Sequence, residues 1–71
     1  MKPLPAKAVI KILKKHGFLL VRQRGSHLIF THPQTGIMVP VPVHEANKPI
    51  YLGTFMAIVK QSKIPKDEFH L

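Results

Sequence analysis

The chain has 71 residues, and its 11 lysines and arginines outnumber 3 acidic residues, which gives a formal net charge of +8. A single domain of this size, residues 1–71, buries only about 60% of the surface of its unfolded chain, which excludes a catalytic fold with a deep cleft. Cysteine is absent, so disulfides, thiolate metal sites and thiol nucleophiles are excluded. The excess of positive charge favours a polyanionic partner such as the phosphate backbone of a nucleic acid.

The sequence carries no signal for a membrane. No run approaches the roughly 20 apolar residues that a transmembrane helix needs. Two prolines and a charged helix follow Lys2, and this pattern argues against a signal peptide. We therefore expect a soluble, cytoplasmic protein that does not bind membranes.

Residues 5–16 are predicted to form an amphipathic helix. Pro5 suits the first turn of a helix, and Gly17 suits the position that follows the last turn. Apolar residues recur at helical spacing, while the lysines take the other side. The predicted inner face consists of Ala6, Val9, Ile10 and Leu13.

Three strands are predicted to follow, at residues 18–24, 27–32 and 37–43, because these runs are rich in β-branched and aromatic residues. Gly25-Ser26 turns the chain between the first two strands. Residues 33–36, "PQTG", form the next turn, with proline early and glycine late.

The third strand is expected to lie at an edge of the sheet, since Pro40 and Pro42 cannot donate hydrogen bonds to a neighbouring strand. Side chains alternate along a strand. In the second strand Leu28 and Phe30 therefore share one face, and His27 belongs to the other.

A second helix is predicted at about 53–62, where Thr54 could cap the first turn. The tail should return Ile64 and Phe69 to the core. The order helix, three strands, helix predicts an α+β domain, with a three-stranded antiparallel sheet and both helices on one face. The other face is left open, and we expect a ligand or partner there.

His27 is the first candidate for chemistry, and His44 is the second. Histidine has an unperturbed pKa near 6.5, so it can take and give a proton at neutral pH. RNA carries its own nucleophile, the ribose 2′-OH, and its cleavage needs a base, an acid and positive charge to stabilise the phosphorane. From these residues alone an ordinary surface histidine at the start of a strand stays an open alternative.

Several residues near this histidine could bind an RNA backbone. Arg22, Arg24 and Lys48 supply positive charge. Gly25 would let the main chain approach a phosphate closely, and Ser26 offers a hydroxyl and an N–H donor.

Other kinds of site are not indicated. His27 and His32 lie on opposite faces of one strand, with no cysteine or nearby acid, so a metal site is not expected. The three carboxylates form no credible acid/base pair, and the chain has no phosphate-binding P-loop motif. We expect no cofactor.

A lysine-rich helix ending in "HGF", followed by "VRQRGSH", "IFTHP", "VPVH" and "LGTFMAIVKQSKI", resembles the HicA (YcfA-like) toxins of bacterial and archaeal toxin–antitoxin pairs. The resemblance covers nearly the whole chain. It implies a double-stranded-RNA-binding-domain-like α-β-β-β-α fold and a metal-independent ribonuclease that cleaves mRNA and arrests translation. It also implies a partner, a HicB antitoxin that covers the active surface of the toxin. The catalytic histidine of the toxin family lies in its G-S-H motif and corresponds to His27.

The chain departs from this pattern at two places. Many relatives carry a second histidine directly after the first, where this chain has Leu28. A lone His27 would then act as base and acid in turn, or leave protonation to water. Ser62-Lys63 stands where relatives often have Ala-Gly, which should alter the cap of the second helix.

Two alternatives stay open. The same fold without chemistry could bind duplex RNA by its shape and phosphates, across about 16 bp. The second helix has no cation before Lys60, which makes a pure duplex binder the weaker hypothesis. A domain that only docks on an acidic protein is also compatible with the charge, and this role could coexist with catalysis.

Overall fold

The computed structural model describes residues 2–70, in which an α-β-β-β-α arrangement is followed by a short 3-10 helix. The elements are α1 (Ala6–Lys15), β1 (Leu19–Arg24), β2 (His27–Thr31), β3 (Met38–Pro42), α2 (Leu52–Ser62) and the 3-10 helix Lys66–Phe69. The strands form one antiparallel sheet in the order β1-β2-β3. The predicted fold class is confirmed, whereas the 3-10 helix had no counterpart in the prediction.

The end of α1 directs the chain into the sheet. Gly17 has a φ of +89°, its N–H donates to the Lys14 carbonyl (3.1 Å), and the Phe18 N–H donates to the Leu13 carbonyl (3.0 Å). This pair of bonds is a Schellman motif, whose left-handed residue is least strained when it is glycine. Phe18 is thereby folded back into the core, where it is buried.

The core lies between the two helices and one face of the sheet. β2 contributes Phe30 to it, and β3 contributes Val39 and Val41. The buried residues of the helices are Ala6, Val9 and Leu13 in α1, and Phe55, Ile58, Val59 and Ser62 in α2. Burying one large apolar side chain stabilises the fold by about 1.5–3 kcal/mol. Both helices thus use the same face, as predicted, and no other helix among the described residues covers the second face.

β3 is an edge strand, as its prolines predicted. The Val43 N–H donates to the Ser26 carbonyl at the end of the β2–β3 ladder (2.7 Å). Because the hydrogen-bonding direction alternates along a strand, Pro40 and Pro42 direct their missing donors away from β2. The prolines therefore cost the sheet no hydrogen bond and block pairing at its outer edge.

β1 is the other edge, and all six of its residues are exposed. Leu19, Leu20 and Val21 are each about half exposed, and a bulge interrupts the pairing with β2 between Leu20 and Arg22. This exposure was not predicted. Apolar side chains on an unpaired edge strand are typical of a surface that a partner covers.

The two ends of α2 differ from the prediction in different ways. The expected cap at Thr54 is wrong, because Tyr51 occupies the N-cap position and no side chain caps the helix. At the other end Lys63 has a left-handed φ of +63°, and the buried Ser62 hydroxyl accepts a hydrogen bond from the Ile64 N–H (3.2 Å). Ser62 and Lys63 thus form the C-terminal end of α2, and the effect of Ser-Lys in place of Ala-Gly stays a prediction.

The tail packs back onto the domain, as predicted, and a side-chain contact holds it there. The Phe69 ring is buried and meets Phe55 edge to face, with ring centroids 6.0 Å apart. Glu68 Oε1 lies 2.9 Å from His16 Nε2 and 3.4 Å from Lys15 Nζ. The hydrogen bond with His16, and then the one with Lys15, lowers the pKa of the Glu68 carboxyl below its ordinary value of 4.5. His16 thus joins α1 to the tail.

The Glu68 contact should make the stability of the fold depend on acidity. A carboxyl whose pKa is lowered in the folded state stabilises the fold above its unfolded pKa, and this stabilisation is lost as the pH falls through the folded pKa. We expect Glu68→Gln to lower the free energy of unfolding at neutral pH, and the difference from the wild type to shrink as the pH falls through the folded pKa of Glu68, which lies below 4.5. Urea unfolding at neutral pH and over a series of acidic pH values measures this.

Asp67→Asn is the matched control, since it removes the same charge from the neighbouring residue of the 3-10 helix without touching His16. It should keep the wild-type dependence on pH. A Glu68→Gln variant that loses stability on acidification as steeply as the wild type would contradict a stabilising role for this carboxylate.

Candidate functional site

A two-residue turn forms one end of the candidate site. Gly25 and Ser26 join Arg24 to His27, and the Cα atoms of Arg24 and His27 are paired across the hairpin. Gly25 has a φ of +58°, whereas Ser26 has no positive φ, a pattern that favours a type II′ turn with glycine first. A Cβ atom at Gly25 would meet nothing within 4 Å, so the backbone of the turn is open to an approaching group.

The register of this hairpin places two arginines on the face of His27. Directly opposed residues in an antiparallel pair project to the same face. Arg24 is opposite His27 and Arg22 is opposite Ile29, so all four side chains project to one side of the sheet. The bulge begins beyond Arg22 and leaves both pairs intact.

This side is the open face of the sheet. Phe30 belongs to the core between sheet and helices, and Leu28 packs against that core, so the alternate residues His27 and Ile29 project to the other side. His27 is exposed, as strand parity predicted. The same alternation applies to position 28, where many relatives carry a second histidine. A side chain at position 28 projects toward the helices. Leu28 therefore removes no partner of His27 from the open face.

The open face is positive because the acids lie elsewhere. Arg22 and Arg24 are exposed, and neither forms a salt bridge with any acid in the part of the chain that the structure describes. Glu68 lies against the end of α1, Asp67 is its neighbour in the 3-10 helix, and Glu45 follows β3. Two arginines without acidic partners therefore flank His27, and they would attract a phosphate group.

Lys48 lies at the same end of the sheet, but its charge is compensated. Its Nζ lies 2.7 Å from Glu45 Oε2. It lines an open depression of about 350 Å³ together with Pro42, whose Cα is paired with that of His27. Its role in binding the RNA backbone stays a prediction, since a phosphate would compete with Glu45 for the ammonium group.

His44 and Tyr51 line the same depression. His44 follows the end of β3, so it lies close to the strand position that faces His27. Sequence reasoning missed Tyr51, which stands between two apolar residues and belongs to no motif. Its one distinguishing signal is that it is the only tyrosine of the chain.

The remaining features of the chain do not extend this site. His32 lies on the helix side, where its ring meets Phe18 edge to face at 5.3 Å and its Nδ1 accepts the Gln34 N–H. A larger groove of about 710 Å³ runs between α2 and the tail, also on the helix side. Within residues 2–70, no three His, Asp or Glu side chains are grouped so as to hold a metal ion, and no helix could cross a membrane.

The fold is a small α+β domain of α-β-β-β-α order, and its open face is basic and carries a histidine. Residues 6–64 match the family model described as the HicA toxin of bacterial toxin–antitoxin systems. The chain belongs to the HicA toxin family. This family comprises the toxins of toxin–antitoxin pairs, which are generally ribonucleases that cleave mRNA. No curated protein matches the chain.

Because the two arginines share the face of His27, the structure predicts how RNA binding depends on salt. Arg22→Gln combined with Arg24→Gln should weaken the binding of single-stranded RNA and reduce the slope of log affinity against log salt by about 1.4, since each lost phosphate contact contributes about 0.7. Titrations over a range of salt concentrations measure the slope.

Lys60→Gln combined with Lys66→Gln is the matched control, because it removes the same charge from the groove on the helix side. This control should keep the wild-type slope. Equal effects of the two double variants would mean that RNA responds to net charge and does not bind the open face.

Proposed function

We propose that the protein is the toxin of a type II toxin–antitoxin pair and acts as an endoribonuclease that cleaves mRNA and arrests translation. His27 is the general acid/base in this proposal. One observation carries it: in a chain of the HicA family, an exposed histidine lies on the open face of the sheet beside Arg22 and Arg24, which have no acidic partner among residues 2–70.

The chemistry starts from the 2′-OH of the substrate. His27 takes the proton of this hydroxyl, and the oxygen then forms a bond to the adjacent phosphorus. The bond from phosphorus to the 5′-oxygen breaks, and this oxygen receives a proton. The products are a 2′,3′-cyclic phosphate and a 5′-hydroxyl. Because the nucleophile belongs to the substrate, the reaction requires positioned proton-transfer groups and positive charge, but no metal-bound water.

The arginines and the turn stabilise the phosphorane. Its additional negative charge develops at the end of the hairpin, where Arg22 and Arg24 supply donors that are always protonated. The open backbone at Gly25 and the exposed Ser26 hydroxyl add neutral donors at the same place. Preorganised donors of this kind typically contribute more to the rate than a proton transfer does.

The acid that protonates the leaving oxygen is His44 in this proposal. Leu28 projects toward the helices, so the residue next to His27 cannot supply the proton. His44 lines the depression that Pro42 borders, and Pro42 is the cross-strand partner of His27. Two histidines at one end of the sheet would let one act as base while the other acts as acid.

The proposed site of action is the cytoplasm, where mRNA is translated. The proposed protein partner is a HicB-like antitoxin. The net charge of +8 favours an acidic partner. The exposed apolar residues of β1, Leu19, Leu20 and Val21, offer the uncharged part of such an interface along this edge of the sheet.

Replacing His27 with alanine tests the acid/base role. We expect RNA cleavage to fall by about 10²-fold or more, the usual contribution of a general acid/base, because the imidazole that takes the 2′-OH proton is lost. Circular dichroism and the affinity for RNA should stay near the wild type, since the imidazole is exposed and makes no side-chain hydrogen bond with the other described residues.

His70→Asn is the control, because it replaces an exposed histidine of the tail with a residue that tolerates its left-handed φ of +64°. It should cleave RNA like the wild type, whereas His44→Ala should be slower. Undiminished cleavage by His27→Ala would overturn the assignment of the base. RNA that is bound but never cut by the wild type, with or without chelator, would indicate a binding module without chemistry.

A further inference from the structure

Among the phenylalanines and the tyrosine, Tyr51 is the one side chain that the fold does not bury. The four phenylalanines are buried, each at most 2% exposed, whereas Tyr51 is 87% exposed. The chain contains no tryptophan. An exposed aromatic ring contributes nothing to this core, but it provides a flat surface on which an unpaired nucleobase can stack.

The backbone that carries Tyr51 is held firmly on both sides. Its carbonyl accepts the N–H of Phe55 in the first turn of α2 (2.8 Å). The preceding residue, Ile50, is buried, and its N–H donates to the Leu4 carbonyl (3.0 Å). The backbone at this position therefore loses little conformational entropy when a ligand stacks on the ring.

The ring borders a depression that reaches the end of the sheet where His27 lies. Pro42, Pro49 and Tyr51 line it, and Pro42 is paired with His27 across the β2–β3 ladder. A group bound in this depression would therefore lie next to a group bound at His27. Its volume of about 350 Å³ is sufficient to hold one planar ring.

The charges in the depression favour a base over a phosphate. Glu45 and Lys48, which lie 2.7 Å apart at their charged atoms, compensate each other. A phosphate would meet the Glu45 carboxylate, whereas the edge of a base offers donors and acceptors to both groups. Arg22 and Arg24, which have no acidic partner among residues 2–70, lie on the other side of His27 and suit a phosphate.

We propose that this depression binds one unpaired nucleobase of the RNA substrate, stacked on Tyr51, next to the phosphate that is cleaved at His27. The inference rests on the proposed function and adds a subsite for one base, which must be unpaired to reach the ring. In a duplex the faces of each base are covered by its neighbours and cannot reach the ring.

The test measures the binding of a short single-stranded oligoribonucleotide to the His27→Ala protein, in which cleavage should be slower by about 10²-fold or more. Adding Tyr51→Ala should weaken binding about 5-fold to 150-fold, the range for the loss of one stacked base. Tyr51→Phe keeps the ring and should bind like its parent. Leu52→Ala, which shortens the half-exposed neighbour, is the matched control and should also bind like its parent.

A second measurement follows the ring itself. Because the chain has one tyrosine, the NMR spectrum contains one set of tyrosine ring signals, and stacking should shift them when the oligoribonucleotide is added. An oligoribonucleotide that lacks the base at the contacted position should bind more weakly to the protein with Tyr51, and no more weakly to the Tyr51→Ala protein. A blunt RNA duplex should leave the ring signals unmoved.

The two proposals fail in different ways. If His27→Ala cleaves RNA at the wild-type rate while Tyr51→Ala still weakens binding, the base pocket stands and the acid/base assignment falls. If His27→Ala is inactive but the Tyr51 and Leu52 variants all bind RNA equally, the pocket is wrong and the proposed function stands. Ring signals that RNA does not shift would also overturn the pocket.

Discussion

The composition of the open face depends on the register of the β1–β2 hairpin, which the two-residue turn at Gly25 and Ser26 fixes. Side chains alternate along a strand, so a turn longer by one residue would move Arg22 and Arg24 to the helix side while His27 stayed. The positive φ at Gly25 permits the short turn. The presence of both arginines on the face of His27 is thus a consequence of the backbone geometry at one glycine.

The small size of the core leaves the second face of the sheet uncovered by helices within residues 2–70. A chain of 71 residues supplies apolar side chains for one layer of helices, and this layer covers the face that bears Phe30, Val39 and Val41. The second face is consequently free to carry charge. Of the three acids, Glu68 holds the tail to α1 and Glu45 is paired with Lys48. A positive face beside a nearly neutral depression would let one end of the sheet hold a phosphate and a base side by side.

Much of the fold could be predicted from the sequence because its signals are local. The spacing of Ala6, Val9 and Leu13 indicates α1, and the prolines of β3 indicate an edge. The alternation within β2 was enough to assign His27 to the open face. The role of His27 in catalysis stays a prediction, because neither the fold nor the family match tests a single side chain.

What could not be predicted depends on contacts between distant residues or on exposure. His16 and Glu68 are separated by 52 positions, and no pattern in the sequence joins them. The bulge in β1 lacks a glycine or proline that would mark it, and the exposure of this strand depends on how far the helices extend across the sheet. Tyr51 stands among apolar neighbours like a core residue, and its exposure emerges only from the way α2 begins.

The central claim is that the substrate supplies the nucleophile and that the open face supplies the proton transfers. The most direct measurement is cleavage of an RNA oligonucleotide in which the ribose at the cleavage point carries 2′-hydrogen in place of 2′-hydroxyl. The claim predicts that cleavage at that point is abolished, and that the unmodified RNA yields 2′,3′-cyclic phosphate and 5′-hydroxyl ends in the presence of chelator. Persistent cleavage of the 2′-deoxy substrate, with 5′-phosphate ends, would contradict it.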